Sequence, residues 1–196
     1  MRLKVLKNGF EKNLEMPAKK GDVGYDMRAA TFKIIGNIFS DNYDSILDYD
    51  YLSIDYIEYE TGIALEPFWR NKEECYGGDG YDDNFEYGDL IDISKYVQVK
   101  PRSSLSNYNL ALCNSVATID PNFRGTIKCR FKYLWQPEDL NIGRFVVGKI
   151  NKDKIYKVGD KIAQVVFAQV IHPEIEYVDK LSESDRNTGE FGSTGK

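Results

Sequence analysis

Apolar and polar residues alternate with a period of two in three stretches of the chain: "KYVQVKPRS" (95–103), "GTIKCRFKYLW" (125–135) and "DKIAQVVFAQVI" (160–171). Each is bounded by Gly, Pro, Asn or Asp. Such alternation turns one face to a core and the other to solvent, and so predicts β-strands. Helical periodicity is sparse, no internal repeat is visible, and short strands at this spacing predict an all-β sandwich or barrel. Between two apolar runs, "TIDPNFRGTI" places Asp120, Pro121 and Asn122, which is turn chemistry inside a hairpin. Residues 68–94, "FWRNKEECYGGDGYDDNFEYGDLIDIS", have little apolar periodicity and many Gly, Asp and Tyr; they read as an insertion or long loop, partly ordered by its aromatics.

Composition narrows the picture. A chain of 196 residues with 42% hydrophobic content is long enough for one core and short for two, so a single domain over 1–196 is expected. The start "MRLKVLKNGF" has no apolar signal region and no apolar run approaches a bilayer-spanning length, which leads to the expectation of a cytoplasmic protein with no membrane partner. Cys75, Cys113 and Cys129 stand at no metal-ligand spacing, so neither a zinc site nor a disulfide framework is expected. The single histidine, His172, follows an apolar strand and reads as a strand-end imidazole. Cys113 and Cys129 flank Pro121 symmetrically, which would make them cross-strand neighbours in a symmetric hairpin, expected as two free thiols.

The net charge of -5 is unevenly spread. Residues 41–95 hold sixteen Asp or Glu against Arg70, Lys72 and Lys95, a local balance of -13 that leaves +8 on the remainder. A basic body suits a polyanionic ligand bound away from an acidic insert, while a solvated acidic loop accounts for the same numbers. No basic run with interleaved aromatics appears, so nucleic acid is not an expected partner.

Five segments are poorly explained by periodicity: "GDVGYDMRAA" (21–30), "PRSSLS" (101–106), "NSVATIDPNFRG" (114–125), "GDKIAQVVF" (159–167) and "RNTGEFGSTG" (186–195). Taken singly, Gly24 and Gly125 read as turn glycines, Ser103 as a strand-end hydroxyl and Gln164 as a core amide. In this order they resemble the five motifs of the trimeric dUTPase family, approximately A-G-x-D, P-R-S-G, G-x-I-D-x-x-Y-R-G, G-x-R-I-A-Q and R-G-x-G-G-F-G-S-T-G. The resemblance implies a jelly-roll-like subunit, a homotrimer with active sites shared between subunits, and Mg²⁺-dependent hydrolysis of dUTP to dUMP and pyrophosphate.

The resemblance also assigns roles. Asp120 falls at the general base, a carboxylate that activates water for in-line attack on the α-phosphorus. Asp26 would act on Mg²⁺ through water, since that ion keeps much of its hydration and is held largely by phosphates. Arg102, Ser103, Ser104 and Gln164 would hold the phosphate chain. The segment from Asn114 to Gly125 would read the uracil edge through its main chain, helped by Asn114, with Thr118 and Lys128 also among its substrate-binding residues. Phe123, in place of the family's tyrosine, would pack on the deoxyribose and exclude a 2'-hydroxyl. The end of the chain, about 182–196, would be a mobile lid: Phe191 stacks on uracil, while Arg186, Gly192, Ser193 and Thr194 hold phosphates.

Departures from the pattern are Ser104, Ala117 and Glu190 where glycine is usual, together with elongations at 68–94 and 136–157, of a kind found among phage members. Two alternatives accompany this reading. A dCTP deaminase shares the fold and an R-S-S-L stretch, but places its catalytic glutamate where this chain has Arg124. An interaction protein of the same fold would bind a protein partner through the acidic insert.

Overall fold

The computed structural model describes residues 2–39, 50–69, 90–91, 95–143, 146–171 and 173–184. Fourteen strands are found among them: β1 (Arg2–Val5), β2 (Leu14–Glu15), β3 (Tyr25–Arg28), β4 (Thr31–Phe39), β5 (Asp50–Glu60), β6 (Leu65–Trp69), β7 (Leu90–Ile91), β8 (Lys95–Pro101), β9 (Leu110–Leu112), β10 (Ala117–Ile119), β11 (Lys128–Tyr133), β12 (Leu140–Ile142), β13 (Val146–Gly148) and β14 (Lys161–Gln169). No α-helix occurs among the described residues, and none of their helices is long and apolar enough to cross a membrane.

The strands form three antiparallel sheets: β1-β6-β7, the five-stranded β10-β8-β14-β3-β2, and a six-stranded sheet in which β12-β13-β5-β11-β9 run in order and β4 pairs with β5. The two larger sheets turn their apolar faces to one core. Met27, Val97, Val99, Ile162 and Val165 come from the first; Ile57, Tyr59, Cys129 and Phe131 come from the second. At its centre Tyr59 meets Phe131 and Tyr156 edge-on, at 5.7 and 6.1 Å between ring centroids, a preferred geometry for aromatic quadrupoles. The burial of β11, exposed and buried in strict turn, is the period-two pattern of its sequence realised.

The three expected strand runs are β8, β11 and β14. The central hairpin β4–β5 was not legible, because β5 is flanked by β4 on one side and by β11 and β13 on the other and lies partly within the acidic stretch. The acidic stretch is thus not wholly an insert. Of the insertion expected at 68–94, Phe68 is paired opposite Ile91 and Trp69 opposite Leu90; residues 70–89 and 92–94 lie outside the described residues. The elongation at 136–157 supplies β12 and β13 and lends Ile150, Ile155 and Tyr156 to the core. It is tied down by Asp139, which is buried and accepts from the Tyr133 hydroxyl at 2.9 Å and the Gln136 amide at 2.9 Å.

The hairpin of the third motif differs from its simple form. Its arms are β9 and β11, paired Phe131 to Leu112, while the intervening β10 leaves to pair with β8 of the other large sheet. That register places Cys113 beside Arg130, its amide donating to the Arg130 carbonyl at 2.9 Å, and not beside Cys129. Cys113 is exposed and Cys129 is buried in the core, so the two are not the cross-strand neighbours that symmetry about Pro121 suggested; both are free thiols. Burial pushes the Cys129 thiol up to about 12, which leaves it protonated and unreactive at neutral pH.

On the outer face of the six-stranded sheet, Glu58 is only 4% exposed, yet it accepts from Arg130 Nε at 2.8 Å and pairs with Lys33 at 3.1 Å. Lys33 and Arg130 stand directly opposite Glu58 on its two neighbouring strands. Burial acts to raise the Glu58 carboxyl, but the hydrogen bonds from Arg130 and Lys33 outweigh it and hold the group below its ordinary 4.5. A depressed carboxyl stabilises the fold above its unfolded value and loses that contribution as pH falls through its folded value. Glu58→Gln is therefore expected to cost about 1–3 kcal/mol at neutral pH. The gap from the native chain should narrow in urea unfolding repeated at about pH 3, below the ordinary carboxylate range.

Candidate active site

Four strands of the five-stranded sheet carry a row of polar side chains across its outer face. Glu15 on β2 is opposite Asp26 on β3, Asp26 is opposite Gln164 on β14, and Gln164 is opposite Lys100 on β8. Residues directly opposite one another in an antiparallel sheet project on the same side. The first and fourth motifs, more than a hundred residues apart in the chain, are thereby adjacent. The second motif joins them where β8 ends: Arg102 Nε lies 2.8 Å from Asp26 Oδ1. Ser103 and Ser104 follow in a short 3-10 turn, Ser103–Asn107, closed by the Leu105 amide donating to the Arg102 carbonyl at 3.0 Å. Gln164 donates from Nε2 to the Pro101 carbonyl at 3.2 Å, which sets its amide beside the same turn.

Gly24 has a reason to be glycine other than a turn. A Cβ built there would lie 1.9 Å from Gln164 Oε1 and 3.2 Å from Gln164 Cβ, so the missing side chain makes room for that amide.

The third motif builds a second wall. The Asp120 carbonyl accepts from the Phe123 amide at 3.0 Å, closing the expected turn and leaving Asp120 exposed at its head. Around this turn and the outer ends of β9 and β11 lies a pocket of about 670 Å³, lined by Asn114, Ile119, Phe123, Gly125, Lys128 and Arg130 among others. The volume is of the size that small-molecule sites take. The Phe123 ring lies over Gly125, where a Cβ would come within 2.6 Å of its Cζ. At 44% exposed, Phe123 is not an ordinary core residue; its ring forms a wall of the pocket. Arg124 is committed elsewhere, pairing with Glu66 at 2.9 Å and donating to the Pro121 carbonyl at 2.6 Å.

The sequence-based residues thus fall into two groups. Asp26, Arg102, Ser103, Ser104 and Gln164 gather at one end of the five-stranded sheet, and Asn114, Phe123 and Lys128 line the pocket, with Asp120 at the head of the turn beside it. Thr118 sits on β10, exposed and opposite Gln98. Arg186, Phe191, Gly192, Ser193 and Thr194 lie outside the described residues, as does His172. Reading the sequence missed Lys100, Lys161 and Glu15. Lys161 carried a signal, since it occupies the basic position of the fourth motif, whereas Lys100 and Glu15 are revealed only by register.

A divalent cation is tested by the donors present. Among the described residues no three His, Cys, Asp or Glu side chains gather as a ligand set. Asp26 and its neighbour Glu15 are two partly buried carboxylates already paired with Arg102, Lys161 and Arg28. These residues fit a metal that arrives on phosphates and touches protein through water, as Mg²⁺ does.

Comparison with known proteins bears on the family and the fold. The dUTPase family model matches residues 89–195. The chain is similar to the deoxyuridine 5'-triphosphate nucleotidohydrolase of a Picosynechococcus species, 36% identical over 106 residues, covering 54% of this chain and 64% of that protein. The protein of the same name from Brucella melitensis is 40% identical over 100 residues, covering 50% of this chain and 54% of the relative. The match therefore spans between about half and two thirds of the length of these curated relatives. Among solved structures, the Staphylococcus bacteriophage 80alpha dUTPase with dUPNHPP is 18% identical with a TM-score of 0.59, covering 100% of this chain and 99% of that one. A mutant dUTPase from phage phi11 of S. aureus, described with a structural Mg(II) ion, is 16% identical with a TM-score of 0.50, covering 92% of this chain and 98% of that one. At these identities the likeness is one of fold.

Proposed function

The chain belongs to the dUTPase family, whose model matches more than half of its length, and from that premise we propose that it hydrolyses dUTP to dUMP and pyrophosphate. The observation that carries this reading is the convergence of Asp26, Arg102 and Gln164, from three separated motifs, at one end of one sheet. Such a cluster suits a triphosphate. Arg102 offers a charged donor, Gln164 an amide, and the Ser103–Asn107 turn hydroxyls and main-chain N–H groups.

In the proposed reaction Asp120 takes a proton from water, the water oxygen bonds to the α-phosphorus, and the bond from that phosphorus to the α,β-bridging oxygen breaks, releasing pyrophosphate. The exposed head of the 120–123 turn leaves the Asp120 carboxylate free for this task. The pocket walled by Asn114, Ile119 and Phe123 would take the base and sugar, its main chain reading the uracil edge. Mg²⁺, bound with the nucleotide and facing Asp26 through water, would neutralise charge on the phosphate chain. As the family resemblance implies, the reading includes a homotrimer in which sites are shared between subunits, and a cytoplasmic setting.

The test is pyrophosphate release with Mg²⁺ from dUTP, dCTP, dTTP and UTP in parallel, with products separated by chromatography. Release from dUTP alone, giving dUMP, supports the reading; conversion of dCTP to dUTP would replace it with the deaminase. The arginine at position 124, where the deaminase's glutamate would stand, already weighs against the latter.

Gly24→Ala tests the phosphate cluster. The atom it meets first is the mobile tip of Gln164, so the fold yields easily, but the amide is displaced from the turn. An Ångström of misplacement costs up to about a hundredfold in rate, so kcat/KM for dUTP is expected to fall by about ten- to a hundredfold with the melting temperature nearly unchanged. A steady-state assay beside a thermal melt checks both.

A further inference from the structure

Strand β14 does not run with a regular register. Lys161 is opposite Arg28, yet Ala163 is opposite Met27, so Ile162 is an extra residue: a β-bulge. Its consequence is visible in the burial of the strand, where Ile162 and Ala163 both face the core and Lys161 and Gln164 both face out. In an unbroken strand, residues three apart would lie on opposite faces. The bulge therefore brings Lys161 onto the face that carries Asp26 and Gln164.

There Lys161 Nζ lies 3.0 Å from Asp26 Oδ2 and 2.5 Å from Glu15 Oε2. Glu15 is in turn held by Arg28 Nε at 2.5 Å, and Arg28 also donates to the Gly159 carbonyl at 2.6 Å. The outcome is a line of alternating charge, Arg28, Glu15, Lys161, Asp26 and Arg102, in which the two oxygens of Asp26 are shared between Lys161 and Arg102. All five side chains are partly buried, which weakens solvent screening of their interactions.

We infer that Lys161, steadied by Glu15, is a positioning residue that keeps Asp26 oriented and neutralised so that Arg102 is free to leave it for the triphosphate. This inference rests on the dUTP reading above. When Arg102 turns to phosphate, the remaining four charges sum to zero, and no uncompensated carboxylate faces the incoming anion. Without Lys161, Asp26 depends on Arg102 alone. The arginine is then held back from the substrate, and the carboxylate repels the phosphates instead.

The experiment compares full-length wild type with Lys161→Gln, Lys161→Arg and Glu15→Gln. Calorimetry gives the affinity for a non-hydrolysable dUTP imido analogue and for dUMP, both with Mg²⁺, and dUTP turnover supplies kcat and KM. Lys161→Gln is expected to weaken the imidotriphosphate about tenfold while dUMP, lacking the outer phosphates, changes less than about twofold. Lys161→Arg should restore most of the loss and Glu15→Gln should show part of it. Equal weakening of both ligands, or none of either, overturns the inference. If Lys161→Gln does not fold, Glu15→Gln decides, and an unchanged ratio of the two affinities overturns it. Wild type that leaves dUTP intact fails the functional reading itself; wild type that hydrolyses dUTP beside an unaffected Lys161→Gln fails only the inference.

Discussion

Asp120→Asn is expected to bind dUTP about as tightly as the native chain and to turn it over about a thousandfold more slowly, within the range that general bases contribute. Asparagine preserves size and hydrogen bonding but accepts no proton, so the loss should fall on kcat and leave KM close to its original value. The site geometry supports a separable effect. Asp120 closes its turn through its main-chain carbonyl, which accepts from the Phe123 amide at 3.0 Å, and the substitution leaves that bond intact. Phe123 and Asn114 should therefore still shape the pocket. Single-turnover kinetics with calorimetric binding of an imido analogue would separate the two quantities. Near-native turnover would remove Asp120 from the role of base.

Truncation after Ser184 is expected to lower turnover by at least about a hundredfold, the order by which misplaced or missing phosphate contacts slow a reaction. The deleted residues include Arg186, Phe191, Ser193 and Thr194, the phosphate and base contacts implied by the family resemblance. The body should survive. Residues 173–184 are exposed throughout, including Ile175, Tyr177 and Leu181, and the core cluster draws nothing from them. A shortened chain should thus melt at the native temperature and keep the native number of subunits in sedimentation while losing catalysis. Full activity in that form would refute the lid assignment.

The parts of this site differ in how readable they were. Asp26, Arg102 and Gln164 were readable as residues because the motifs containing them are short and ordered, yet their adjacency depends on pairing β14 with both β3 and β8. Gly24 and Gly125 read locally as turn glycines, but each proves to be a space left for a specific neighbour, Gln164 and Phe123. The symmetric placing of Cys113 and Cys129 about Pro121 misled because β10 leaves the hairpin for β8, and the register of β9 with β11 then puts Arg130 beside Cys113. Glu58 gave no local sign of being buried. Its charge is tolerated because Lys33 and Arg130 flank it on adjoining strands, and only sheet order creates that row.

The sequence by itself determined the β character of the chain, the turn at Asp120 and the chemical identity of the candidate groups, since side-chain alternation and turn chemistry operate over a few neighbouring residues. Tertiary structure decided which of those groups meet. Register across four strands aligned Glu15, Asp26, Gln164 and Lys100, and one extra residue in β14 turned Lys161 onto the same face. A bulge and a register are settled by the competition of whole strands for a shared core, where a shift of one position would send every buried side chain of a strand into water.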